Sequence, residues 1–78
     1  MLNWTRKKPK FNSKSKECIL IAATKINERW EYTLFEMRKM EYEDKWYWGI
    51  ITADGDEWGD YADLKAQLYY TMPLLKVN

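Results

Sequence analysis

The chain has 78 residues: 46% are hydrophobic, 17% aromatic and 32% charged, with 13 Lys and Arg against 12 Asp and Glu. That length accommodates one domain and excludes two, and five Trp, six Tyr and two Phe are too many for a generally disordered chain. The absence of His excludes Ser-His and Cys-His catalysis and His-ligated zinc, and the single cysteine, Cys18, excludes an internal disulfide.

The near-neutral total hides an asymmetry. Residues 1–16 hold Arg6, Lys7, Lys8, Lys10, Lys14 and Lys16 and no acid, whereas residues 17–78 hold seven bases and all 12 acids. The first segment carries Pro9 and the polar stretch Asn12–Lys16, with no period of 2 or 3.6. It reads as a basic, flexible arm on a single acidic domain, residues 17–78. Trp4 and Phe11 stand out in it, as side chains that dock on the body or stack on a ligand.

Residues 17–26, ECILIAATKI, are apolar on both alternating sets, which fits a strand covered on both faces or a short buried helix. Asn27-Glu28 offers a tight turn. Residues 29–39, RWEYTLFEMRK, read as a second strand on their aromatic and β-branched content. Residues 40–44, MEYED, read as an acidic loop. Residues 45–53, KWYWGIITA, form the clearest strand, followed by the hairpin signal Asp54-Gly55. A two-residue loop there pairs Ala53 with Asp56, Ile51 with Trp58 and Trp48 with Tyr61.

Asp60 then reads as a helix N-cap, with Asp63 as its capping-box acid. Tyr61, Leu64, Leu68 and Met72 follow at helical spacing until Pro73. The expected fold class is therefore α+β: a three- to four-stranded antiparallel meander with one C-terminal helix, near 61–72, packed on one face. The apolar tail 74–78 is free to pair at a sheet edge.

Chemistry finds little support in these residues. An EF-hand loop starting at Asp54 would need an oxygen ligand at its fifth position and Glu at its twelfth, where Trp58 and Lys65 stand. Glu41, Glu43 and Asp44 read as a solvated loop rather than a general acid/base pair. Cys18 has Lys16 nearby, a neighbour that lowers a thiol pKa, but no base or resolving cysteine. No phosphate-cradling glycine loop is present. No catalytic residue, metal or cofactor is expected, and no apolar run approaches the ~20 residues of a membrane span. Lone-cysteine usage points to the cytoplasm.

Binding remains. Trp46 and Trp48 must share a sheet face, with Tyr47 on the other. A single helix leaves some aromatics uncovered, so Trp30, Trp46 and Trp48 are the expected anchors for a partner protein. The alternative is single-stranded nucleic acid, with bases stacked on these rings and Arg6, Lys7, Lys8, Lys10, Lys14 and Lys16 along the phosphates. An arm lying over the aromatic sheet favours nucleic acid; an arm lying away from it favours protein. In size, lack of His, aromatic load and ββα ending, the chain resembles the small orphan proteins of phages and other mobile elements. That resemblance implies a protein that binds and inhibits or regulates a host protein.

Overall fold

A computed structural model describes residues 3–55 and 58–74 of the chain, Trp58 through its backbone. Five strands make one antiparallel sheet: β1 (Cys18–Ile26), β2 (Arg29–Tyr42), β3 (Lys45–Thr52), β4 (Trp58–Asp60) and β5 (Leu68–Pro73). Their order is β4-β3-β2-β1-β5, so the first four form a meander and β5 returns to pair with β1.

Two turns set the meander. Ile26 pairs with Arg29 around Asn27-Glu28, and Tyr42 pairs with Lys45 around Glu43-Asp44. All four loop residues have positive φ, between 50° and 65°. That is the type I′ signature, whose twist matches that of the flanking strands. The tight turn expected at Asn27-Glu28 is therefore present. The loop expected over 40–44 is not, because β2 runs on through Met40, Glu41 and Tyr42. The short polar loop signal was spread over five residues, but a two-residue turn satisfies it.

At Asp54-Gly55 the register is as expected and the turn is not. Ile51 pairs with Trp58, yet only Gly55 takes positive φ, at 77°, and its N–H donates to the Thr52 carbonyl at 2.8 Å. The reversal is thus a Thr52–Gly55 turn. The Ala53–Asp56 pair lies outside the described residues.

The C-terminal helix is absent. Asp60 does cap, accepting from the Ala62 N–H at 2.9 Å, but the turn it starts is a single 3₁₀ turn, Tyr61–Asp63, that ends in extended backbone at Leu64. From Leu68 the chain is strand, LYYTMP. The spacing of Tyr61, Leu64, Leu68 and Met72 mimics a helical stripe, but Tyr69, Tyr70 and Thr71 prefer the pleated, half-buried environment beside β1. The described residues contain no α-helix, and the fold class is all-β rather than α+β.

Strand alternation assigns the faces. One face, called the closed face below, carries Cys18, Leu20 and Ala22 of β1, Phe35 and Met37 of β2, Trp48 and Ile50 of β3, and Tyr69 of β5. Two non-strand segments cover it: the crossover 61–67, through Tyr61, Leu64 and Ala66, and the basic N-terminal segment, through Phe11. Leu20 and Met37 are fully buried there. The other face, the open face, carries Ile19 and Ile21, Trp30, Tyr32 and Leu34, Met40 and Tyr42, Tyr47 and Ile51, and Leu68, Tyr70 and Met72. Trp4 reaches it from the N-terminal segment, with ring centroids 5.9 Å from Tyr32 and 5.8 Å from Tyr70.

Candidate functional site: the open aromatic face

The basic segment is held on the closed face by its own chemistry. Phe11 sits 5.3 Å from the Trp48 ring and 5.1 Å, edge-on, from that of Tyr61. Tyr61 Oη donates to the Pro9 carbonyl at 2.5 Å, and Trp48 Nε1 donates to the Asn12 carbonyl at 3.3 Å. Lys8 Nζ donates to the carbonyls of Tyr61, Ala62 and Leu64 at 2.8, 3.3 and 2.7 Å, and lies 4.5 Å from the Tyr61 ring centroid. Its charge thus serves carbonyls at the end of the 3₁₀ turn, where Tyr61 also accepts from the Leu64 N–H at 3.0 Å. From the sheet, Lys39 Nζ donates to the Ser13 carbonyl, and the Lys39 N–H donates to Glu17. Asn12 and Ser15 close a local turn that feeds β1.

Burial raises the pKa of the Tyr61 hydroxyl well above its ordinary value of 10.0, with smaller contributions from Tyr69 and Cys18. Burial also raises the Cys18 thiol. Lys16 therefore does not activate Cys18, and the residue packs against the core as a small apolar group. Among the described residues no group of three or more metal-ligating side chains converges. Asp54 accepts from Thr52 Oγ1 at 2.7 Å and Asp60 caps the 3₁₀ turn, while Asp56 and Glu57 of that acidic run lie outside the described residues. No described helix is long and apolar enough to cross a membrane.

The three tryptophans expected to act together are separated. Trp48 is core, 7% exposed. Trp46 lies on the same face, 6.3 Å from Trp48, but at the rim and 50% exposed. Trp30 is 40% exposed on the opposite face. Sequence alternation could link Trp46 to Trp48, but it could not place β2 relative to β3 without the register.

The exposed aromatics gather instead on the open face. Trp30, Tyr32, Leu34 and Tyr42 are 40–69% exposed there, beside half-buried Ile19, Ile21, Ile51, Tyr70 and Met72. Charge on this face is sparse. Glu36 and Arg38 form the one ion pair among the described residues, at 2.8 Å, and Lys25, Lys45 and Asp60 lie at the margins. The alternation of Trp30, Tyr32 and Leu34 was a signal for this stripe, and Ile19 with Ile21 a second one.

Two concavities border it. One, of about 530 Å³, is lined by Tyr42, Glu43, Lys45, Trp46, Tyr47 and Asp60. It places Glu43, Asp60 and Lys45 around one hollow. The other, of about 390 Å³, brings Arg6 and Lys25 beside Trp30, Gln67 and Leu68. Of the other basic residues, Lys7, Lys8 and Lys10 line a hollow with Pro9 and Thr71, Lys16 borders a cleft beside Cys18 and Met72, and Lys14 is exposed at the Asn12–Ser15 turn. No family model, curated protein or solved structure matches the chain.

Proposed function

We propose that the protein is a non-catalytic interaction module that binds a partner protein through the open face of its sheet. The observation that carries this reading is the contiguous apolar stripe of exposed Trp30, Tyr32 and Leu34 beside half-buried Ile19, Ile21 and Tyr70, with Trp4 lying against Tyr32 and Tyr70, while Phe11 and the 61–67 crossover close the other face. Monomeric proteins rarely leave a continuous patch of this kind uncovered, and aromatic anchors dominate protein interfaces. The fitting partner presents an apolar surface of little net charge. Trp30 keeps its assigned role as an anchor, Trp46 is a rim residue, and Trp48 supports the fold.

The test is capture on immobilised full-length protein. A bound protein should be lost with Leu34→Glu and Tyr32→Lys, which change the open face, and retained with Lys10→Glu, which does not. Capture indifferent to Leu34 and Tyr32 removes the open face from the function.

A second reading keeps single-stranded nucleic acid, and one observation favours it: Arg6 and Lys25, neither in an ion pair with a described residue, flank the half-exposed Trp30 ring. The arm also lies over the sheet, with Phe11 on Trp48 and Trp4 on Tyr32 and Tyr70, as the nucleic-acid reading expects; but of its bases only Arg6 lines the Trp30 concavity, which favours protein. Quenching of tryptophan fluorescence by an oligonucleotide, weakened by salt and abolished by Arg6→Glu, would reverse that preference.

A further inference from the structure

We infer that the occupant of the open face is a second copy of this chain, giving a two-fold dimer in which two sheets stack face to face as a β-sandwich. The inference rests on the proposed reading of the open face as a protein-binding surface, and names its partner.

The surface area points this way first. A compact monomer of 9.5 kDa exposes about 5,000 Å². This chain exposes 6633 Å². The excess, about 1,600 Å² over the whole chain, leaves room for the ~800 Å² that each partner contributes to a standard interface, and the open face is where the exposed apolar side chains adjoin. The radius of gyration agrees: 13.0 Å, against about 11.5 Å for a compact chain of this length. One sheet covered on one side is half of a two-layer structure.

Charge selects the partner. A two-fold interface sets a patch against itself, so a patch of one sign repels its copy. The open face avoids this. Its centre is neutral, and the Glu36–Arg38 pair supplies one charge of each sign on the central strand β2. A two-fold axis beside that pair brings Glu36 of each copy toward Arg38 of the other, so opposite charges meet.

The sheet edges direct association to the face. An open strand edge would allow edge-to-edge pairing, and both edges here are blunted. On β5, Thr5 occupies both the N–H and the carbonyl of Tyr69, at 2.8 and 2.9 Å, and Pro73 has no N–H to offer. At the other edge, β4 is three residues long.

The experiment is sedimentation equilibrium of the full chain over a wide concentration range, with Leu34→Glu and Tyr32→Lys measured alongside. Leu34 is 41% and Tyr32 61% exposed in the single chain, Tyr32 also touching Trp4, and circular dichroism verifies that both variants fold. The wild type should approach twice 9.5 kDa. Either variant should raise the dissociation constant on the order of a hundredfold, because a charge is then forced into an apolar interface. A wild type that remains monomeric throughout overturns the inference. If capture of a foreign protein still depends on Leu34, the docking surface stands and only its occupant is wrong. A dimer that survives both variants places the self-interface elsewhere and overturns the inference, while the open-face reading itself falls only if capture is indifferent to Leu34 and Tyr32.

Discussion

Replacing Phe11 by Ala tests whether the N-terminal segment is part of the folded structure. The ring is half-buried and touches Trp48 and Tyr61 at 5.3 and 5.1 Å. Truncating a fully buried Phe costs about 3–5 kcal/mol, so half-burial scales that to about 2. That figure already contains the ring contacts, and with both Trp48 and Tyr61 in contact the expected loss is about 2–3 kcal/mol. A chain of 78 residues has roughly 4–12 kcal/mol of stability in total, so the change is a large fraction of it. With a urea slope of roughly 1 kcal/mol/M for so short a chain, the unfolding midpoint should fall by about 2 M. Tryptophan fluorescence reports it directly, since Trp48 loses the ring above it. A midpoint moved by less than about 0.5 M would mean that residues 3–16 contribute little to the fold, and the two-faced description would fail.

Three further outcomes follow from the same contacts. Lys8→Met takes a charged donor from the carbonyls of Tyr61, Ala62 and Leu64, of which Tyr61 keeps the Leu64 N–H, and should cost about 1–3 kcal/mol in urea unfolding. Trp48→Ala should cost about 3–5 kcal/mol, while Trp46→Ala, at the half-exposed rim, should leave the urea midpoint nearly unchanged. The folded-state pKa of Tyr61 is raised, so its contribution is complete below its unfolded value of 10.0 and is lost as pH climbs from there toward the folded value. In that window the unfolded state releases a proton that the folded state keeps, and stability falls by up to about 1.4 kcal/mol per pH unit. Tyr61→Phe should flatten this alkaline loss in a pH series of urea titrations, at a cost of about 1 kcal/mol near neutrality.

Much of the sheet was legible in the sequence. The aromatic and β-branched run of 29–39, the strand 45–52 and the Ile51–Trp58 register follow from alternation and turn residues. The β5 strand was not legible, because its apolar residues also fit a helical stripe and Asp60 supplied a genuine cap in front of them. Local chemistry was read correctly there, but pairing with β1 overrode the helical alternative, and such pairing leaves no mark in a local window. The site shows the same division. Alternation puts Trp30, Tyr32 and Leu34 on one face, but only the register with β1 and β5 brings Ile19, Ile21 and Tyr70 beside them, and only β5 in place of a helix leaves that face uncovered by a helix. The basic charges suggested a phosphate-tracking arm; Lys8 instead holds backbone carbonyls, which composition does not distinguish.

Hydroxyl-radical footprinting of the full chain, at low and at high protein concentration, tests the two-faced account most directly. Trp30, Tyr32 and Leu34 should be oxidised readily at low concentration and protected at high concentration, with Trp48 and Tyr61 protected at both. Rapid oxidation of Trp48 and Tyr61 in dilute protein, or open-face residues protected there, would contradict the assignment of one closed and one open face.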